Sequence, residues 1–448
     1  MEFAENVFKA YDIRGLVPDE LTPELARNVG RALADLLPTP GPVAVGRDMR
    51  PDSAQLAREL IAGLTEQGRE VWDIGQVTSD MIYFAAGHFN LAGGAMVTAS
   101  HNPGQYNGIK LCAEGARPIG VETGLQDIKA AIAADRYMQA ASLQGVSLQK
   151  NVTEDWIKHV LSFIDPHQLK RYRLAVDAGN GMAGAIVPHL EPQVPFEVTR
   201  MYFELDGTFP NHPASPIELE NLQDLIQRIK KDRLDFGIAF DGDGDRAFLV
   251  DELGQPVSGS VMTAILAEHF LSRHTGATIL YNVICSRVVP ETITKLGGKA
   301  IRTKVGHSYI KADMRTHKAI FAGEHSGHYY FKNNFNADSG LLAVMVAIDV
   351  LSQSGLTLSQ LAGKYRTYFE SGEINSTVES QKSKVESLAA QYADGEQDRL
   401  DGLTVNYPDW WFNVRPSNTE PLLRLNVEAN SRELMEAKRD ELLALIRA

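Results

Sequence analysis

Three times along the chain a short apolar run is followed by a helical or compact connection, further apolar runs, and a polar, glycine-marked loop. The leading runs are PVAVG from Pro42 to Gly46, RLAVD from Arg173 to Asp177 and TILYNVI from Thr278 to Ile284. A second run follows each: REVWDIG after Gly68, PFEVTRMYF from Pro195 to Phe203, and KAIRTKVG after Gly298. The blocks then close on GGAMVTASHNP, DFGIAFDGDGDR and KAIFAGEHSGH. Apolar strands alternating with helical segments predict βαβ units and mainly parallel sheets. In such sheets ligand-binding groups collect beyond the carboxyl ends of the strands. The repetition is one of pattern, not of residue identity.

From about Phe369 the pattern changes to closely spaced strands, GEINSTV, WWFNV and LLRLNVEA, and a closing helix SRELMEAKRDELLALIRA. In that helix Leu434, Lys438, Leu442 and Ile446 recur at four-residue spacing. Leu434, Leu442 and Ile446, with Leu443, are expected to line its apolar face while the charges meet water. The fold class read from these patterns is α/β. Three related mixed- or parallel-sheet α/β domains, residues 1–146, 147–252 and 253–368, precede a smaller α+β domain at 369–448. A length of 448 residues is in any case too great for a single core.

Charge narrows the partners. With 44 Lys and Arg against 57 Asp and Glu, the net charge of −13 argues against a nucleic-acid surface. Cys112 and Cys285 lack CxxC spacing and neighbouring His pairs, so two reduced, packed thiols are expected and not a zinc site. The start MEFAENVFKAYDIRG has no basic segment or apolar run resembling a secretory signal. The longest apolar stretch, near Leu341 to Leu351, is too short to span a bilayer. A cytoplasmic protein without nucleic-acid or membrane partners is expected.

Four loops carry candidate chemistry. In TASHNPGQYNGIK, a strand delivers Ser100 to a turn built by Asn102, Pro103 and Gly104, with His101 beside it. In DGDGDR, Asp241, Asp243 and Asp245 alternate with glycines and end at Arg246. Three unpaired carboxylates so close repel one another, and a hard divalent cation such as Mg²⁺ or Ca²⁺ relieves that. An EF-hand loop matches in its first, third and fifth acids and in Glu252 at the twelfth position, but Arg246 stands where that loop needs glycine. In GEHSGH, Glu324, His325, Ser326 and His328 present hydrogen-bonding groups suited to sugar hydroxyls. In RPSNTEP, Arg415 with Ser417, Asn418 and Thr419 forms an anion site suited to phosphate. No GxxxxGK[ST] or GxSxG is present, which argues against a P-loop NTPase or an α/β-hydrolase.

Together these loops, with the N-terminal AYDIRG, resemble the signature loops of the α-D-phosphohexomutase family, in the family's order and across essentially the whole chain. The resemblance implies four domains around a central cleft, in a monomer or small homo-oligomer. It implies an isomerase that moves a phosphoryl group through a phosphoserine at Ser100 and a hexose 1,6-bisphosphate. Mg²⁺ is then held by Asp241, Asp243, Asp245 and the phosphoserine of Ser100. His101 and Arg246 neighbour the reacting phosphate, and Lys110 and His307 are the candidate proton-transfer groups. Tyr11, Arg14, Glu324, His325, Ser326 and His328 contact the hexose phosphate, and Arg415, Ser417, Asn418 and Thr419 its distal phosphate. GEHSGH is most similar to loops of the phosphomannomutase group, which implies interconversion of mannose 6-phosphate and mannose 1-phosphate. Phosphoglucomutase and phosphoglucosamine mutase are the related alternatives. A sugar-phosphate phosphatase or a non-catalytic sensor are the readings from other classes. Two positions depart from the family pattern: Val77, Thr78 and Ser79 lack its Thr-Pro, and Ile284 stands where some members carry lysine, a contact Arg287 or Lys304 would have to supply.

Overall fold

In the computed structural model, whose described residues are 3–138, 144–417 and 422–448, the three leading runs are strands. The molecule divides into two units, Met1–Ser258 with Ser326–Ser359, and Gly259–His325 with Gln360–Ala448.

The first unit begins with strands β1 (Ile13–Leu16), β2 (Val43–Arg47), β3 (Val71–Gln76), β4 (Gly93–Val97), β5 (Tyr106–Ala113), β6 (Arg117–Pro118) and β7 (Ser147–Gln149). They form one sheet in the order β1-β5-β4-β2-β3-β7, with β6 on β5. Its centre is parallel, β4 with β2 and β2 with β3, but β5 runs antiparallel to β4. The second sheet orders β12 (Pro256–Val257), β11 (Ala247–Asp251), β10 (Phe236–Phe240), β8 (Arg173–Asp177) and β9 (Glu197–Met201). It too is parallel from β10 through β8 to β9, and β11 is antiparallel to β10. The sheets are therefore mixed and not mainly parallel. The serine loop between β4 and β5, and the aspartate loop between β10 and β11, are short enough to return the chain beside its own strand, which only antiparallel pairing allows. Each loop thereby sits at the carboxyl end of a fully buried strand.

The unit's last strands, β16 (Tyr329–Phe331) and β17 (Ala337–Asp338), are antiparallel. They lead to the helix Gly340–Ser354, whose Ser339 cap accepts from Leu342 N. This is the longest apolar stretch of the sequence, buried on nearly every face and so a core helix. Among the described residues no helix is long and apolar enough to cross a membrane.

In the second unit, β13 (Thr278–Asn282) pairs in parallel with β14 (Lys299–Thr303) and β15 (Phe321–Gly323). The tail forms an antiparallel sheet, β18 (Phe369–Ser376), β22 (Leu423–Ala429), β21 (Trp410–Pro416), β20 (Leu403–Asn406) and β19 (Glu396–Asp398) in that order. The last two carry little sequence signal, β20 being four residues long and β19 three polar ones. The closing helix spans Arg432–Arg447 and is capped by Ser431, whose hydroxyl accepts from Leu434 N at 3.2 Å. Its core face is Met435, Leu442 and Ile446; Leu434 and Leu443 pack only at the margin. Met435 replaces Leu434 because i to i+7 to i+11 follows one helical stripe more closely than strict four-residue steps. Lys438 lies over the Trp410 ring, 4.9 Å from its centroid, and pairs with Glu441.

One packing contact bears on the site. The helix Ser79–His88 carries Phe84, whose ring lies 5.3 Å from that of fully buried Trp156 on the helix Thr153–Leu161. Trp156→Ala is expected to cost about 3–5 kcal/mol through the cavity it leaves, read as a lower urea midpoint at unchanged slope.

Candidate active site

β4 ends at Val97, and the next residues turn sharply. Ser100 takes a left-handed conformation, φ 52°, fixed in part by its N–H donating to Thr98 Oγ1 at 2.9 Å. Its side chain is buried, and Oγ donates to Asp241 Oδ2 at 2.8 Å. Asp241 directly follows β10. Gly244, at φ 75°, turns the loop so that Asp243 and Asp245 return toward Asp241. One carboxylate oxygen from each of the three lies within 4.8 Å of the others, and all three residues are buried.

Their charge is answered from neighbouring elements. Lys110, on β5, donates to Asp243 Oδ2 at 2.7 Å and to Asp245 Oδ2 at 2.6 Å. The Ser79 hydroxyl donates to the same Asp243 oxygen, and Ser79 N donates to Asp243 O at 3.0 Å. Arg246 places its N–H 3.1 Å from Asp241 Oδ1 and its Nε 3.6 Å from Oδ2. Burial and the neighbouring Asp243 and Asp245 push Asp241 up to about 8. Burial would push Asp243 and Asp245 up as well, but the Lys110 ammonium reverses the sign and holds both below the usual carboxylate range. Burial would likewise lower Lys110, yet the two aspartates outweigh it and keep the amine well above its usual range. Lys110 is thus an ammonium here. Asp243 Oδ1 is buried without a hydrogen-bond partner. A buried carboxylate oxygen left in that condition fits a cation ligand, and the triad can hold a metal ion. Glu252, the twelfth position of the competing EF-hand reading, instead accepts from Ser359 N and Oγ, so that reading fails.

Beside the triad, Arg246 Nη2 donates to His101 Nδ1 at 2.8 Å, and Ser100 Oγ lies 3.3 Å from the same nitrogen. Loss of hydration, then the Arg246 and Arg14 cations, hold this imidazole well below its usual range. It is neutral, with Nδ1 accepting. Arg246 Nε also donates to His328 Nε2 at 3.2 Å, and Ser326 Oγ lies 3.0 Å from His328 Nδ1. Arg14 Nη1 donates to Asn102 Oδ1 at 2.7 Å and pairs with Asp12. Tyr11 precedes this pair on the same segment. One unit therefore holds Tyr11, Arg14, Ser100, His101, Lys110, Asp241, Asp243, Asp245, Arg246, Ser326 and His328.

The other unit holds Glu324, His325, His307, Arg415 and Ser417. Glu324, 1 % exposed, accepts from Asn282 Nδ2 at 3.1 Å and Gly306 N at 3.3 Å, next to His307 at the start of the helix His307–His317. His325 Nδ1 lies 3.5 Å from Glu370 Oε2; burial opposes its proton, but Glu370 prevails and raises it. Arg415 is buried and donates to Glu373 Oε2 at 2.5 Å. Arg424, its cross-strand partner on β22, reaches the other oxygen of Glu373 at 3.1 Å. Ser417 N donates to Leu422 O at 2.8 Å, while Asn418 and Thr419 lie outside the described residues. Ile284 is buried. Of its two suggested substitutes, Arg287 is engaged by Tyr407, Pro408 and Trp410 carbonyls, and Lys304 is exposed, over the Tyr309 ring.

Sequence reasoning missed Ser79, Asp80, Asp12, Glu373 and Arg424. Asp80, buried, accepts from Thr78 and from Ser339 Oγ at 2.6 Å, and burial pushes it up to about 7. The departure at Val77, Thr78 and Ser79 was the available signal: this segment supports the aspartate loop. Glu373 and Arg424 carry no local signature, since only strand pairing brings them to Arg415.

Family models described as phosphoglucomutase/phosphomannomutase match the chain four times: alpha/beta/alpha domain I over residues 5–138, domain II over 154–254, domain III over 258–368, and the C-terminal domain over 373–445. A protein named phosphohexose mutases from Xanthomonas campestris pv. campestris is 42% identical over 98% of this chain and 99% of its own length. A phosphomannomutase from Salmonella montevideo is 39% identical, covering 98% of each. Among solved structures, a phosphoglucomutase/phosphomannomutase family protein from Burkholderia thailandensis superposes with TM-score 0.90 at 33% identity, covering 99% of this chain and 97% of that one.

Calorimetric titration with a divalent cation tests the triad. Asp243→Ala is expected to abolish binding, and Ser79→Ala to weaken it about tenfold by freeing a ligand oxygen from its outer support.

Proposed function

The chain belongs to the phosphoglucomutase/phosphomannomutase family, and we propose that it interconverts mannose 6-phosphate and mannose 1-phosphate through a phosphoserine at Ser100 and a hexose 1,6-bisphosphate. The observation that carries the reading is the 2.8 Å contact of Ser100 Oγ with Asp241 at the edge of the aspartate triad. A hydroxyl so placed joins a transferable group to a site built for a cation. Mannose is favoured by the GEHSGH loop and by relatives named phosphomannomutase.

In the proposed reaction a sugar hydroxyl attacks the phosphorus carried by Ser100. The bond to Oγ breaks as the bond to the sugar oxygen forms. Arg246, with neutral His101 accepting from it, orients the transferring group and spreads its charge. Lys110, held as an ammonium by Asp243 and Asp245, donates a proton to the oxygen that leaves. His307 is assigned the proton lost by the attacking hydroxyl. Mg²⁺ at Asp241, Asp243 and Asp245, with a phosphoserine oxygen, supplies neutralisation of the phosphoryl charge when bound. Glu324, His325, Ser326 and His328 are assigned to the sugar, Tyr11 and Arg14 to the substrate near Ser100, and Arg415, Ser417, Asn418 and Thr419 to the distal phosphate. Arg424 joins the last group as a second guanidinium on Glu373. Domain boundaries near residues 146, 252 and 368 complete the proposal.

Intact mass and turnover test it together. Purified protein is expected to carry one phosphate that Ser100→Ala removes, and to convert mannose 1-phosphate with a higher kcat/KM than glucose 1-phosphate. Inorganic phosphate released at the turnover rate would make it a phosphatase. Ligand binding with Ser100 never phosphorylated would make it a sensor. A reversed sugar ratio would leave the mutase and change its substrate.

A further inference from the structure

Arg50 has no role in the chemistry assigned above, yet its side chain is wholly buried, 0% exposed, directly behind the serine loop. A guanidinium carries five N–H donors in a fixed plane. Here all five are used. Nη2 donates to Ser100 O at 2.8 Å and to Asn102 O at 2.6 Å. Nη1 donates to Pro103 O and Tyr106 O, each at 2.8 Å, and Nε to Asp48 Oδ2 at 3.1 Å. Four of the five acceptors are main-chain oxygens of one loop, between residues 100 and 106.

The arrangement behind the fork is equally specific. Asp48 Oδ1 accepts from Arg50 N at 3.0 Å and from Ser53 Oγ, which in turn accepts from Asn107 Nδ2 at 2.9 Å. The Phe209 ring covers the guanidinium, 5.1 Å from centroid to Cζ. Gly242 of the aspartate loop also packs against the Ser100 carbonyl, where an added Cβ would sit 2.5 Å from that oxygen. The Ser100 carbonyl therefore meets both Arg50 and the aspartate loop, while the same residue sits at φ 52°, a conformation disfavoured for non-glycine residues. A buried cation is costly unless each of its donors is met. This one is met almost entirely by the loop that presents the nucleophile.

We infer that Arg50 is a positioning residue for phosphoryl transfer: its fork gathers the carbonyls of residues 100–106 and holds Ser100 in the strained conformation that points Oγ at the aspartate triad. The inference rests on the function proposed above, deepening it at the same site. Charge alone does not perform this task. A lysine would keep the cation but offers three donors from one point, and cannot reach oxygens arrayed along a plane.

Arg50→Lys and the milder Ser53→Ala, which loosens Asp48 and Asn107 without touching the fork, test it. Three readouts are taken on each folded variant: amide exchange by mass spectrometry, the KM-against-kcat split, and the cation affinity of the triad. Arg50→Lys is expected to speed exchange in residues 98–108 about tenfold with the rest of the chain unchanged. It is expected to lower kcat about 10²-fold, as a misplacement near 1 Å would, with KM and cation affinity within about twofold of wild type. Ser53→Ala is expected to move exchange and kcat in the same direction by a smaller factor. Exchange and kcat within twofold of wild type in Arg50→Lys would overturn the inference. So would faster exchange spread over the whole unit, which marks a merely structural residue. If Arg50→Lys does not fold, Ser53→Ala decides alone, and wild-type exchange there overturns the inference. A wild-type protein that never carries phosphate on Ser100 would instead defeat the mutase reading, and the exchange result would still stand by itself.

Discussion

Mutual repulsion among Asp241, Asp243 and Asp245 is the constraint around which the first unit is arranged. Three carboxylates brought within 4.8 Å and removed from water would not remain there without opposing charge. Lys110 comes from β5, Arg246 from the end of the same loop, and Ser79 from the start of a helix packed beneath them. Each arrives because an antiparallel return or a helix start lies at the carboxyl end of a parallel strand. Burial and its two neighbours raise Asp241, while the Lys110 ammonium lowers Asp243 and Asp245.

The serine loop meets this cage from the other sheet. Ser100 contacts Asp241 through its side chain, and its carbonyl lies against Gly242. The Ser100 hydroxyl and the three carboxylates are thus registered by two short loops in close backbone contact. Other buried groups support this arrangement: Arg50 binds the serine loop, and Asp80 and Trp156 hold the helix that brings Ser79 to Asp243. In the second unit the comparable economy is Glu373, one carboxylate shared by Arg415 and Arg424.

Much of the candidate site was legible because its groups cluster locally. Residues 241–246 carry three carboxylates, turn glycines and a guanidinium within one loop, and GEHSGH and the serine loop are equally self-contained. The apolar runs of the three blocks became strands because alternation with helices leaves few other ways to bury them. Reading failed where partners are distant. Four-residue steps in the closing helix suggested Leu434, but the sheet it packs against takes Met435. The protonation of Lys110 depends on aspartates more than a hundred residues away, which no pattern around Lys110 itself records.

The order of strands and helices, the α/β class and the kinds of groups in each loop follow from the sequence by itself, since periodicity, turn residues and short motifs act over a few neighbouring positions. Only the tertiary structure decided which strands turn back antiparallel, which side chains face the three aspartates, that Arg50 holds the serine loop, and that Arg415 shares its carboxylate with Arg424. Those outcomes depend on charges and carbonyls converging from separate elements under low hydration, and no local pattern records what lies across a buried interface.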